Sequence, residues 1–228
     1  MNPRPWWFWL TALLVPVALV VAAVRLLLTP LFIQVEYRLP YFPPDPYGFT
    51  TAQRLHWADQ ARRYLLGSQG EDWLAGLRFA DGSRVFNARE VRHLADVKAV
   101  VRSTLRVGLA AAAGLLGLAF WARRQGPRAW GTFRQALAWG GWLTVGFVLL
   151  VAGAVLVAFG PFFVFFHRLF FEGDSWLFPT SDTLIRLFPE RFWMDAFLAA
   201  GLLSGGAGWL LARWARGTDR RGGKGSMI

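Results

Sequence analysis

Two short stretches carry side chains able to move a proton or polarise a carbonyl in an otherwise apolar chain: EVRHLADVK at residues 90–98 and FHRLFFEGDSWLFPTSDTLIRLFPERFW at residues 166–193. Each holds one histidine, His93 and His167. Imidazole, with a reference pKa of about 6.5, is the side chain suited to general acid or base work near neutral pH. Asp96 follows His93 by three positions, so on a helix the two share a face, and an aspartate so placed can orient an imidazole and stabilise its protonated form. The same spacing suits a solvated helix end whose other charges are Glu90, Lys98, Arg102 and Arg106, and HxxD is too short to choose between the two. His56 falls beside the apolar stripe of a surface helix, where solvation is the simpler role. The absence of cysteine excludes a thiolate nucleophile, disulfides and Cys-ligated metal sites. There is no GxSxG serine motif and no glycine-rich phosphate loop.

These groups sit in a chain that has too little polar surface to close a soluble globule. Of its 228 residues, 55% are hydrophobic and only 17% charged, the composition of an integral membrane protein. About 20 apolar residues cross a hydrocarbon core, and four runs qualify, at about 6–28, 99–121, 135–160 and 191–212. The first is too long for a secretory signal and lacks a clear small-x-small cleavage site, so it is expected to stay as an anchor. Arg25, near its end, is placed to snorkel to the headgroups and is a candidate lipid contact with Arg168. Gly160-Pro161 predicts a kink or an end of the third run, and Gly201 and Gly205 give the fourth a small-xxx-small pattern for close packing.

Between the first two runs lies a polar cap, residues 30–98. LFIQVEYRL alternates, with Ile33, Val35, Tyr37 and Leu39 on one side, and reads as an extended segment. Residues 51–66 suit an amphipathic helix capped by Thr50 or Thr51 and ended by Gly67. Asp81-Gly82 between short apolar runs predicts a tight hairpin. Asn87 with Glu90 three positions on forms an Asx version of the capping box, and no Pro or Gly follows until Gly108, so one helix should run from the cap into the second span. The expected fold is a mainly α membrane protein, four transmembrane helices with a small α+β cap between spans 1 and 2. A second loop, residues 162–190, holds His167, Trp176 and the acids Asp174 and Asp182. Turns explain those acids, as capping groups. Trp176 and the phenylalanines around it suit seating acyl chains and suit interfacial anchoring equally well.

Charge placement gives an orientation. Arg4, the loop 122–134 with Arg123, Arg124, Arg128 and Arg134, and the tail 213–228 with Arg213, Arg216, Arg220, Arg221 and Lys224 share one side, with Asp219 as its only acid. By the positive-inside rule both termini are cytoplasmic, which puts the cap, the second loop and all three histidines on the outer side. The formal charge of +11 is mostly this bias plus attraction to anionic lipid, so nucleic acid drops out as a partner.

The two histidine motifs, in this order, on four spans with a large first outer loop, resemble the bacterial lipoprotein intramolecular transacylases. The resemblance covers nearly the whole topology, its specific motifs about forty residues. It implies transfer of the sn-2 acyl chain of a diacylglyceryl-modified lipoprotein to the α-amine of its own N-terminal cysteine, giving a lyso-form lipoprotein in the bacterial inner membrane. The protein would work as a monomer, in contact with membrane lipid and without a cofactor. His93 and His167 match the family motifs; His56 does not. The chemistry is consistent: an α-amine with a pKa of about 7.7–8.0 must lose a proton before it attacks an ester, and an imidazole can take it. Nucleophile and ester belong to one molecule, so holding them together supplies much of the rate and no enzyme nucleophile is required. His93 is expected as the base, held by Asp96, with His167 stabilising the oxyanion or protonating the leaving oxygen, although the two roles can be exchanged. Glu90, Lys98, Asp174, Asp182 and Trp176 are expected in support. Two other classes fit the same residues: a metal-dependent membrane hydrolase with His93, Asp96 and His167 as ligands, and a non-catalytic assembly or transport partner.

Overall fold

The computed structural model describes residues 3–217. The outer part of the tail, with Asp219, Arg220, Arg221 and Lys224, lies outside the described residues. Among the described residues eight helices follow one another: α1 (Trp6–Leu27), α2 (Pro30–Glu36), α3 (Thr51–Leu66), α4 (Glu71–Ala75), α5 (Ala88–Arg124), α6 (Pro127–Phe170), α7 (Thr183–Leu187) and α8 (Glu190–Gly217). α1, α5, α6 and α8 are long and apolar enough to cross a bilayer. Leu109, Leu116, Leu150, Val157 and Leu202 stand exposed on them, as side chains facing hydrocarbon would.

The contacts divide the chain into two units. The first gathers residues up to Arg25, Leu105–Gly153 and the chain from Leu198. Its core is Val15, Ala122, Phe133, Leu137, Ala138 and Ala215. Glycine sets its closest helix contact: a methyl group at Gly141 would stand 2.3 Å from the Gly208 carbonyl oxygen, so α6 and α8 touch through backbone there. At Gly201 and Gly205, the pair singled out by spacing, an added carbon would meet a Val148 methyl at 3.2 Å, a looser fit.

The second unit, Leu26–Thr104 with Ala154–Phe197, carries both histidines. One cluster packs Ala61, Tyr64, Leu74, Phe86, Val91, Leu94, Leu184 and Leu187, and another packs Ile33, Tyr37, Ala58 and Phe192. α3 begins at the Thr50 cap with a reciprocal bond to Gln53 and ends at Gly67. In α6 the helix breaks at Ala158 (φ −147°, ψ 57°), three residues before Pro161. The proline ring has no N–H for the residue 157 carbonyl and crowds it. The helix then resumes and carries on to Phe170 rather than ending at Gly160-Pro161.

The cap differs from the α+β expectation: among the described residues it holds no strand. Residues 30–36 are helical, begun by Thr29 with Pro30 in the first turn, where a missing N–H costs nothing. The buried residues Ile33, Glu36 and Tyr37 lie on one helical face, whereas Val35 is exposed. The Asp81-Gly82 turn forms, with Gly82 at φ +85° and the Asp81 carboxylate accepting from the Ser83 amide and hydroxyl, but only one bridge follows, between Arg78 and Arg84. Two like charges facing each other oppose a longer ladder.

Glu36 is 3% exposed beside Asp195, which is ion-paired to Arg191 at 2.7 Å. Burial first, then the neighbouring Asp195 carboxylate, raises the Glu36 pKa to about 7. The folded chain therefore holds a proton that the unfolded chain has released above about pH 4.5. This contribution to stability is complete below that pH and is lost as pH rises through about 7. Between about pH 5 and pH 8 the wild type should lose about 2 kcal/mol more unfolding free energy than Glu36→Gln. Parallel unfolding curves of the two proteins in detergent across this range check it; equal pH slopes would contradict the assignment.

Candidate functional site

The start of α5 is built from side chains. Asn87 Oδ1 accepts from the Arg89 and Glu90 amides at 3.0 Å, and Glu90 Oε2 accepts from the Asn87 amide at 2.7 Å. The other Glu90 oxygen accepts from the Leu184 amide at 2.6 Å, so one carboxylate, 1% exposed, ties the first turn of α5 to α7. Burial raises the Glu90 pKa, and the bonds from Asn87 and Leu184 pull it back. One turn further along, on the polar turns before the apolar run, His93 points inward and is 6% exposed.

His167 lies near the end of α6 and is 8% exposed. Its Nδ1 is 2.9 Å from the Phe163 carbonyl oxygen, one turn back. A neutral imidazole bonds a carbonyl only through an N–H, so the proton is on Nδ1 and Nε2 carries the free lone pair.

The two rings meet. Their centroids are 6.2 Å apart and their planes differ by 20°. A heavy atom hydrogen-bonded to an imidazole nitrogen lies about 4 Å from the ring centre, so one substrate group set off the line between the two centres is within reach of both rings. Aromatic rings enclose the pair: Phe171 at 4.9 Å and Phe178 at 5.3 Å from His93, Phe163 at 4.0 Å and Trp176 at 4.9 Å from His167. Burial, with His167 beside it, lowers the His93 pKa to about 4, so His93 is neutral at physiological pH. Its Nδ1 is buried without a hydrogen-bond partner.

The Asp96 clamp is absent. Asp96 is exposed, because His93 turns toward the aromatic wall and away from the polar face that Asp96 occupies. The three-ligand arrangement of His93, Asp96 and His167 is not assembled, and no other such group of metal-binding side chains occurs among the described residues. Lys98 is also elsewhere: its ammonium donates to the Gln69 carbonyl at 2.6 Å and lies 4.0 Å from the Tyr64 ring centre, pinning α5 to the segment after α3. Asp182 precedes α7 and pairs with Arg89 at 3.3 Å. Asp174 is exposed in the turn before Trp176, and Trp176 is buried with its Nε1 donating to the Gly173 carbonyl at 3.1 Å. Arg168, Arg25 and His56 are exposed. Phe171 and Phe178 carry no signal of their own in the sequence beyond the density of phenylalanine around them.

The model of one protein family, the lipoprotein intramolecular transacylase, matches residues 8–193, about four-fifths of the chain and both histidines. The chain belongs to this family of acyltransferases. An uncharacterized protein of Aquifex aeolicus (strain VF5) is 29% identical over 177 residues, 76% of each chain. Among solved structures, the membrane-integral lipoprotein intramolecular transacylase of Bacillus cereus matches with a TM-score of 0.73 at 20% identity, over 93% of this chain and 94% of that one. A form of it with a histidine-to-arginine substitution matches with a TM-score of 0.56 at 18% identity, over 94% and 92%. At these identities the structural matches speak for a shared transacylase fold.

Glu90→Gln is nearly isosteric but leaves an amide N–H facing a backbone N–H that the carboxylate had accepted. An unsatisfied buried donor costs about 1–3 kcal/mol. The variant should lose that much unfolding free energy in detergent, and Asp96→Asn, at an exposed position, should change stability by less than about 0.5 kcal/mol. Equal stability of Glu90→Gln and wild type would remove Glu90 as the tie.

Proposed function

We propose that the protein transfers the sn-2 acyl chain of a diacylglyceryl-cysteine lipoprotein to the α-amine of the same cysteine, with His167 as the base and His93 as the oxyanion donor. The pairing of two buried imidazoles, one with its tautomer fixed by a backbone carbonyl, carries this reading. The amine nitrogen attacks the ester carbonyl and its proton passes to Nε2 of His167. Charge develops on the carbonyl oxygen. His93, neutral at working pH, donates there from Nε2 in the tautomer that leaves the unpartnered Nδ1 without a proton. The carbon–oxygen bond to glycerol then breaks, and His167 returns the proton to the departing oxygen. The products are an amide and a free glycerol hydroxyl; charge and atoms balance without an enzyme nucleophile.

The division of roles follows from hydrogen bonding. A base needs a free lone pair, and the bond from His167 Nδ1 to the Phe163 carbonyl leaves Nε2 with one and supports the imidazolium as it forms. Asp96, exposed, does not do this for His93. The aromatic wall of Phe171, Phe178 and Trp176 keeps water from the ester and lies against acyl chains. The setting we infer is the bacterial inner membrane, with the termini cytoplasmic, the histidines at the outer face and the chain acting as a monomer among lipids.

Mass spectrometry of lipoprotein N-terminal peptides from a bacterial host, with and without the protein, should show acyl migration from glycerol to amine. His167→Ala should abolish the lyso-form and His93→Ala should leave only a trace of it, with protein accumulation normal in both; retained activity in both would overturn the mechanism. His93→Asn keeps a donor and should retain more activity than His93→Ala, which should lose about 10²–10³-fold. Because His93 stays neutral down to about pH 4, its replacement by Asn should leave the acid limb of the pH–rate profile in place. A limb displaced in His93→Asn would reverse the two roles.

A further inference from the structure

A buried cation without a carboxylate partner lies apart from the two histidines. Arg54, on the first turns of α3, is 5% exposed. Its Nη1 donates to the Pro43 carbonyl at 2.7 Å, and its guanidinium lies 5.0 Å from the Tyr37 ring centre and 4.7 Å from that of Phe42. Its Nε is buried without an acceptor. Cation–π contact offsets part of the desolvation of an arginine, but a buried guanidinium with no carboxylate within ion-pair distance is left incompletely compensated. Arg54 is in none of the ion pairs among the described residues.

Arg54 lines a cavity of about 380 Å³ together with Tyr37, Phe42, Asp45, Thr50 and Thr51. The one carboxylate there is already engaged: Asp45 accepts from the Phe49 amide at 2.7 Å and from Arg186 at 2.9 Å. The Tyr37 hydroxyl is engaged as well, donating to the Leu187 carbonyl at 2.5 Å. The unbalanced charge at the cavity is therefore the +1 of Arg54. The cavity wall also includes the beginning of α3, a helix of 16 residues whose partial positive end favours an anion, although its Thr50–Gln53 capping box already engages the Thr50 and Gln53 amides. Helix end and buried guanidinium point to the same ligand chemistry from separate observations.

We propose that this cavity binds a phosphate group, offered either by a lipid headgroup or by free phosphate, with Arg54 as its counter-charge. The two turns of α2 are all that separate the end of the first apolar run from Tyr37 in the chain, which favours the headgroup. The site is independent of the acyl-transfer reading, since it uses no residue of the histidine pair.

The test uses the full-length protein in dodecyl maltoside and follows thermal unfolding on titration with inorganic phosphate or with short-chain phosphatidylglycerol. Saturable stabilisation by phosphatidylglycerol but not phosphate identifies a headgroup site, and stabilisation by both a site for the phosphate group alone. In either case the apparent affinity should fall at least about tenfold in Arg54→Gln, the loss expected when a charge-assisted bond is removed. Should Arg54→Gln not fold, Thr51→Glu keeps Arg54, suits a helix start and puts a carboxylate at the cavity, and it should weaken binding to the same degree. No saturable effect of either probe on the wild type, or unchanged affinity in Thr51→Glu, overturns the proposal.

Discussion

The unit that carries both histidines depends on one carboxylate. Glu90 has both oxygens occupied by backbone amides, one from Asn87 beside it and one from Leu184, 94 residues away. The first bond starts α5 and the second fixes α7 against that start. A buried carboxylate without such partners would be costly, and with them it becomes a rigid joint, since both bonds are charge-assisted and short. His93 is the next inward position on the helix and Phe178 lies on the segment leading to α7, so the joint sets the distance between that histidine and its wall. Arg89 adds to the same joint, paired with Asp182 and 5.3 Å from the Phe178 ring centre.

What the joint holds is a dry pair of imidazoles. Inside an aromatic enclosure the charged form of either ring is disfavoured, and two charged rings 6.2 Å apart would also repel. A single proton can be accommodated, and the Phe163 carbonyl makes His167 the better place for it. His93 lacks such a bond and is the ring whose neutral form is favoured. The two chemically identical side chains thus have unlike surroundings, one bonded to a backbone carbonyl and one not, and unlike surroundings are what commonly divides acid from base roles.

Much of this was legible in the sequence where local signals and tertiary context agree. Hydropathy marked the four long helices, and the Asn87 and Glu90 spacing marked the start of α5 because a reciprocal cap is a local device. The histidines stood out because polar side chains are rare in an apolar chain. The sequence of α2 mimics a strand for a definite reason: a carboxylate, Glu36, occupies an inward position, and with that position counted as polar the apolar residues fall into a false alternation. Thr29-Pro30 was the stronger signal. The hairpin turn was legible in Asp81-Gly82, while the missing ladder needed Arg78 to be seen opposite Arg84. The Asp96 partnership failed because spacing places two residues on adjoining helix positions without saying which way a ring turns. Phe171 and Phe178 could not be told from their neighbours, since the turn at Gly173, with φ +60°, decides which rings come back to the histidines.

The position of each imidazole is determined by backbone. His167 is held by its ring bond to the Phe163 carbonyl, and its own carbonyl accepts the Phe171 amide at 2.8 Å as the helix ends. That second bond sets where Phe171 leaves α6, and its ring then contacts both imidazoles, at 4.9 Å from His93 and 5.6 Å from His167. On the other side, the two Glu90 bonds fix His93 through the helix that bears it. Neither histidine relies on a long flexible side chain for its placement, so the separation of the rings is a property of helix ends. Geometry held in this way costs little reorganisation when charge moves through it, which is the requirement for an acyl transfer whose two reacting groups arrive on one molecule.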